Sequence, residues 1–495
     1  MRFSLMNQQL ILEPLVKDHD SILQKISNFP SLPLQPLSPS FSFSPELQSF
    51  LSGRSLLVDE TPFSIDTIHE HYVNGYIAYE KGVDKDQCSR CGNKDTHLFA
   101  SFHCARCHDI CTYCRNCIMM GRVAECSPLL EWRGPAPTPG DPPLFNWSGT
   151  LSEAQMEASV QVIAAAKESR DLLVWAVCGA GKTEVLFEGI HQALLENKRV
   201  CIAAPRTDVI LELSPRLKNV FSDASITTLY GGSEERHTYG QLVLTTTHQL
   251  YRFRDAFDVM IIDEVDAFPY TCDHSLQWAA EKARKPHSSI IYLTATPDQK
   301  TQRQCARGKR SFIQIPARYH GHSIPLPRFA WCGLWKEAIK KKRIPPALKK
   351  WTVLRIRQAR QALIFFPTVD IMEKALPLFQ ELNPLIESVH AEDPCRKEKV
   401  MKMRNKDIPI LLTTTILERG VTIPDIDVAV LGAEEKIFTE SALVQIAGRV
   451  GRRADAPTGD IVYFHYGRTR EMIKALLHID RMNKEARKRG LIHEN

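Results

Sequence analysis

At 495 residues with 43% apolar and 24% charged positions, the chain is long enough for about three domains with sizeable cores, and stability needs no disulfide framework. The formal net charge of +6 permits a polyanionic partner without requiring one. No apolar run reaches the ~18 residues of a membrane span, and MRFSLMNQQLILEPLVKDHD lacks the basic region and long apolar stretch of a secretory leader. A cytosolic protein is expected, with a peripheral seat on the inner face of the cell membrane as the alternative.

In chain order, residues 1–82 read as a leader, partly disordered, because NFPSLPLQPLSPSFSFSP is rich in Pro and Ser. Residues 83–130 hold eight of the fourteen cysteines, between Cys88 and Cys126. Such crowding suits metal ligation in a reducing compartment better than secreted disulfides. The two-residue gaps in CSRC and CTYCRNC are those of zinc knuckles. Cys88, Cys91, Cys114 and Cys117 make one tetrahedral site. Cys104, Cys107, Cys111 and Cys126 remain for a second, giving one or two zinc ions. Pairing Cys88 and Cys91 with Cys104 and Cys107 is an alternative, and His103 and His108 are spare ligands. No open-site His/Glu pattern appears, so the zinc is expected to be structural.

RGPAPTPGDPP lies in a linker at 131–146. It predicts that the cysteine module packs as its own unit, and that disrupting the module leaves the part of the chain beyond the linker largely intact.

Beyond the linker, buried apolar runs alternate with helical stretches: LLVWAV, RVCIAA, LVLTTT, FDVMIID and SIIYLTATP, then ALIFFPT, LIESVH, PILLTTT, IDVAVLGA and DIVYFHY. The pattern predicts an α/β fold of two parallel-sheet domains in tandem, at 147–330 and 331–470, followed by a basic helix or tail at 471–495.

LLVWAVCGAGKT is a strand, a glycine loop and a helix start. The loop residues Gly179, Ala180, Gly181, Lys182, Thr183 and Glu184 are placed to bind the phosphates of ATP, with Lys182 on the β and γ phosphates and Thr183 on Mg²⁺. The strict phosphate-loop pattern has Gly where this chain has Ala176. FDVMIIDEVDAF ends a second strand in acids. Asp263 is placed to hold Mg²⁺ and Glu264 to orient and deprotonate the attacking water, with Asp266 as a link to other motifs.

These strings resemble superfamily-2 helicase motifs: AVCGAGKTE, DEVD, TATP, TTTILERGVTIP and QIAGRVGRR, in that order. More narrowly, DEVDAFPY, TTTHQL, TTILERGVT and YCRNC resemble the late competence ComFA family, which is similar to the primosomal replication-restart helicase. The resemblance implies two RecA-like domains and an ATP-dependent motor that drives single-stranded DNA into the cytosol during natural transformation. It implies arginine fingers at Arg449 and Arg452, a nucleotide-reporting Gln445, and an adenine contact from Gln155, which spacing alone reads as the capping-box partner of Ser152. It also implies DNA contacts at Arg206, Thr246, Thr247, Thr414 and Arg419, a phosphoribosyltransferase-like competence partner and a membrane DNA channel. A replication-restart or RNA helicase would share every ATPase motif. A non-catalytic scaffold is disfavoured by intact Lys182, Glu264 and Arg452.

Overall fold

A strand covered on both faces needs an apolar residue at every position, and LLVWA, VCIAA and LVLTT supply one at nearly all. In the computed structural model, which describes residues 1–17, 20–138, 140, 143–418 and 423–493, such runs form two parallel sheets. The first has seven strands in the order Ile226–Leu229, Leu242–Thr246, Val200–Ala204, Phe257–Ile262, Arg284–Thr294, Leu172–Ala176, Phe312–Ile315. The second has six in the order Arg328–Trp331, Ile461–His465, Ile426–Leu431, Gln361–Phe365, Ile410–Thr413, Glu387–Val389. Three edge strands, Ile226–Leu229, Phe312–Ile315 and Arg328–Trp331, are absent from the expected set. Each has only four residues, mixed in polarity and partly exposed, so none shows the long apolar run of its central neighbours.

The chain divides into two compact units. One comprises Met1–Trp147, Ile163–Asp171 and Glu188–Tyr292; the other comprises Ser148–Val162, Leu172–Phe187 and Leu293–Asn495. This division differs from the expected boundary near 330, since the phosphate-loop strand groups with the C-terminal half.

In the first unit the leader is ordered rather than loose. Phe3–Met6 and Gln9–Leu12 form an antiparallel hairpin. Phe3, Leu10, Ile26 and Phe29 share a buried cluster with Leu47, Tyr72, Tyr79 and Leu130. The prolines do not loosen it, because aromatic residues interleaved with them have partners: Phe41 meets His71 and Phe43 meets Trp132.

The cysteine region departs from expectation in the same unit. Cys88, Cys91, Cys114 and Cys117 lie in one buried cluster with Tyr251, Phe253, Met260, Ile262 and Leu276 of the first sheet domain. Lys282 donates to the carbonyls of Arg90 (2.9 Å) and Tyr251 (2.8 Å). Trp278 presses on Gly92 so closely that a Cβ there would come within 2.6 Å of the ring. The module therefore shares a core with the ATPase domain, and the independent packing inferred from the linker is corrected. Prolines in the linker report only that the chain is irregular there, not that the flanking surfaces are apart.

In the second unit, Trp335, Leu348, Trp351, Phe366 and Phe379 pack around the second sheet. The last helix, Arg470–Lys488, is no free tail: Met472, Ala475, Ile479, Met482 and Ala486 are buried, and the Asn483 amide bonds both backbone groups of Ile324. Its basic residues occupy the other face, which is the amphipathic pattern of a packed surface helix.

Asp427, on the buried strand Ile426–Leu431, accepts from Arg355 (3.0 Å) and Arg360 (2.9 Å), while Arg355 also pairs with Asp460. Burial pushes the Asp460 carboxyl up, but bonds from Arg328 and Trp351 outweigh it and hold it below the usual range. Asp427→Ala leaves the buried Arg355 short of charge, and a loss of ~3–5 kcal/mol is expected. Urea unfolding followed through the second unit checks this; a loss under ~1 kcal/mol would show the network to be no stronger than a surface pair.

Candidate nucleotide site and cysteine clusters

The strand Leu172–Ala176 is buried along its length and delivers the chain to the loop at Cys178. Gly179 and Gly181 turn the loop with φ of +81° and +69°, where a side chain would be strained. The helix Lys182–Leu195 then begins, with Glu184 in its first turn. A glycine loop running into a helix start is the arrangement in which backbone N–H groups and the positive helix end take an anion.

Gln155 supports this loop from beneath. Its Nε2 donates to the Ala180 carbonyl (2.9 Å), while its Oε1 accepts from Ser152 N–H (2.8 Å). The capping bond expected of Ser152 and Gln155 is present. The amide that the resemblance assigns to adenine is engaged with the loop itself.

Motif VI meets the loop within the same unit. Cys178 Sγ lies 3.0 Å from Gln445 Oε1. A Cβ on Gly448 would come within 2.3 Å of Cys178 Cβ, so only glycine lets the end of the helix Glu440–Ala447 approach so closely. Arg449 is buried and donates from Nε to the Glu418 carbonyl (3.1 Å). Arg452, half-buried, donates from Nε to the Gly448 carbonyl (2.9 Å). From TATP, Thr296 bonds Ser441 at 2.7 Å.

Arg318 went unnoticed in the sequence. It is 1% exposed, donates from Nη1 to the Gly451 carbonyl, and lies alongside Gly179. Burial, and then the nearby charge of Arg452, lower its pKa to about 10. An isolated arginine after an edge strand carries no motif; only the fold brings 179, 318 and 451 together.

In the other unit, the strand Phe257–Ile262 ends at Asp263, whose N–H donates to the Ala203 carbonyl (2.8 Å). Glu264 has φ of +52°, a left-handed backbone that non-glycine residues rarely adopt, and its N–H donates to Asp263 Oδ1 (2.8 Å). The turn places two successive carboxylate residues at the strand end, where ligands of parallel sheets bind. Thr183 and Asp263 offer the hard oxygen donors that magnesium takes.

Of the nucleic-acid candidates, Arg206 and Thr246 leave the same end of paired strands, with Ala204 opposite Thr246. Arg206 precedes the helix Thr207–Val220 and lies 3.8 Å from Asp208. Thr246 is 6% exposed, and Thr247 is fully buried with its hydroxyl out of reach of the surface. Thr414 is half-buried after the strand Ile410–Thr413. Arg419 lies outside the described residues.

The cysteines separate as the primary pairing expects. Cys88, Cys91, Cys114 and Cys117 form one group and Cys104, Cys107, Cys111 and Cys126 the other, with the sulfurs in each within 4.8 Å of one another. A tetrahedral ion ~2.3 Å from four sulfurs holds them about 3.8 Å apart. The Sγ pairs 88–117, 91–114 and 104–126 lie at 3.8, 3.6 and 3.7 Å, whereas a disulfide needs ~2.05 Å. The donor set thus fits zinc twice. His103 and His108 are exposed and belong to neither group, and the crossed pairing is not formed. Around the first group, Arg90 is fully buried and donates to the carbonyls of Cys117 and Met120, with Nη2 3.6 Å from Cys117 Sγ. A guanidinium there offsets the negative charge that four thiolates leave on a zinc centre.

Two parallel sheets, a phosphate loop on the first and a GRVGR segment from the second half beside it define an ATP-dependent enzyme of the helicase type. Profiles described as "Type III restriction enzyme, res subunit" and "Helicase conserved C-terminal domain" match residues 148–299 and 345–454, and "Competence protein ComFA N-terminal domain" matches 38–131. The chain belongs to the ComFA family of competence proteins. It is 48% identical over 457 residues to "Competence protein ComFA" of Bacillus subtilis, covering 92% of this chain and 98% of that one. Identity to the Streptococcus pneumoniae protein of the same name is 38% over 376 residues, 76% of this chain and 86% of that one. S. cerevisiae Dbp5 bound to RNA and ADP BeF3 aligns with a TM-score of 0.48 at 13% identity, covering 67% of this chain and 92% of that chain. The sheets and the family matches, not this likeness, define the fold. Among the described residues, no helix is long and apolar enough to cross a membrane.

Proposed function

We propose that the protein is an ATP-driven motor that moves along single-stranded DNA and draws transforming DNA into the cytosol. The observation that carries this reading is the approach of motif VI to the phosphate loop through Cys178, Gln445 and Gly448. With motif VI set against the phosphate loop in one unit, ATP binding and hydrolysis act directly on the segment that carries Gln445, Arg449 and Arg452.

Lys182 and the loop N–H groups hold the phosphates. Glu264 takes the proton from a water that attacks the γ-phosphorus, and the bond to the β,γ-bridging oxygen breaks to release ADP and phosphate. Arg452 offsets the charge that gathers on the transferring group. Thr183 and Asp263 are the residues that would hold magnesium, which would supply positive charge for the phosphates. Arg206, Thr414 and Arg419 are the remaining candidates for strand contact, through phosphate and without sequence reading. The partners implied by the family resemblance, a phosphoribosyltransferase-like protein and a membrane channel, belong to the same proposal.

The test is ATP turnover with single-stranded DNA, duplex DNA and RNA at several salt concentrations. Single-stranded DNA is expected to stimulate most, and less so as salt rises. Equal stimulation by RNA favours an RNA helicase instead. No stimulation by any nucleic acid sinks the motor reading.

A further inference from the structure

Arg318 carries more charge than its surroundings use. Its side chain is enclosed at the junction of the phosphate loop and motif VI. Nη1 is engaged with the Gly451 carbonyl, to which His320 Nε2 also comes within 3.2 Å. Nε and Nη2 are buried and have no hydrogen-bond partner. Nε, Cδ and Cγ lie 3.7–3.8 Å from where a Cβ of Gly179 would be, so the guanidinium runs alongside the loop. The following residue ties the backbone to the same place, Tyr319 N–H donating to the Gly179 carbonyl (3.3 Å).

A buried guanidinium with idle N–H groups is destabilising unless something anionic completes it. Arg452 nearby is another cation and opposes the charge of Arg318, and only the Cys178 thiol acts in the other direction. Among the described residues no carboxylate pairs with Arg318, so the anion that completes it is sought outside the chain. The Nε–Nη2 edge presents two parallel N–H donors, the geometry that matches phosphate oxygens.

We propose that Arg318 is a phosphate-binding residue of the nucleotide site, its Nε and Nη2 taking the terminal phosphate of bound ATP while Nη1 keeps hold of Gly451. This rests on the ATPase reading above. It gives Arg318 a role distinct from Lys182 and Arg452. Lys182 belongs to the loop and Arg452 to motif VI, whereas Arg318 touches both and reports the terminal phosphate to the Gly451 backbone. Loss of that phosphate on hydrolysis releases the contact, so Arg318 discriminates ATP from ADP.

The test uses the full-length, zinc-replete chain with Arg318→Met and Arg318→Lys beside wild type. Binding of a fluorescent non-hydrolysable ATP analogue and of the matching ADP is titrated, and melting is followed with and without each. Arg318→Met is expected to melt no lower than wild type without nucleotide, because an uncompensated buried charge is gone. Its affinity for the ATP analogue is expected to fall about tenfold to a hundredfold, the range for a lost charge-assisted pair, with ADP affinity little changed. Arg318→Lys, which keeps the charge without the two-pronged edge, is expected to fall between.

Equal weakening of both nucleotides, or ATP-analogue binding as in wild type, overturns the inference while leaving the ATPase reading standing. So does a clearly lower melting point of Arg318→Met, which makes the side chain a strut for Gly451. Wild-type protein that binds neither nucleotide overturns both.

Discussion

Arg452→Ala is expected to lower ATP turnover on the order of a thousandfold with ATP affinity nearly unchanged. The comparison with Arg449 makes the experiment sharp. Arg449 is 3% exposed and tied to the Glu418 carbonyl, so its removal also disturbs packing. Arg452 is more exposed and holds the last turn of motif VI through Gly448, so its truncation opens no core cavity. A finger acts on charge that exists only while the phosphoryl group is in flight, which is why kcat falls and binding does not. Single-turnover kinetics with saturating ATP check this. A change confined to DNA affinity would move Arg452 out of the catalytic set.

The second large effect concerns metal. Purified under reducing, chelator-free conditions, the protein is expected to carry two zinc ions per chain. Cys114→Ser removes one ligand of the buried group and with it most of the zinc-binding energy that small metal modules convert into folding stability. Because that group shares a core with Met260 and Ile262, on the strand that ends at Asp263, the damage reaches motif II. A fall in melting temperature of about 10–20 °C is expected, together with loss of basal ATP turnover at growth temperature. Metal analysis, calorimetry and basal turnover measured on one preparation decide it. Full basal turnover in a folded Cys114→Ser protein would restore the independent-module picture that the linker suggested.

These two variants also mark where the sequence was legible. The glycine loop, the acidic strand end and GRVGR are local strings whose chemistry depends on a few adjacent residues, so their place at strand and helix ends could be read directly. The cysteine grouping was legible for the same reason: two-residue gaps place two sulfurs on one turn. The shared core was not, because Leu57, Val83 and Leu129 look like any apolar residues until the fold sets them against Tyr251 and Phe253. The leader misled for a related reason. Proline and serine report what the backbone does alone, whereas Phe3, Phe29 and Phe41 are held by residues dozens of positions away. Thr247 shows the converse failure: a motif threonine suggested a strand contact, but its hydroxyl is buried. Arg318 needed three distant segments to meet before it had any meaning.

The shared core has a consequence for how the protein is made. The ribosome finishes the cysteine region well before it reaches Tyr270 and Leu276, which complete the burial of the first cysteine group. At ~5–20 residues per second, those roughly 160 residues take on the order of 10–30 s to emerge. During that interval Cys88, Cys91, Cys114 and Cys117 and the apolar face meant for Tyr251 and Phe253 stand open to solvent, oxidants and other chains, while the second cysteine group packs on its own neighbours Phe102, Tyr113 and Ala124. Zinc availability during synthesis should therefore set the yield of folded protein more than zinc added afterwards, and a chain cut short before residue 292 should aggregate rather than persist as a small metal domain.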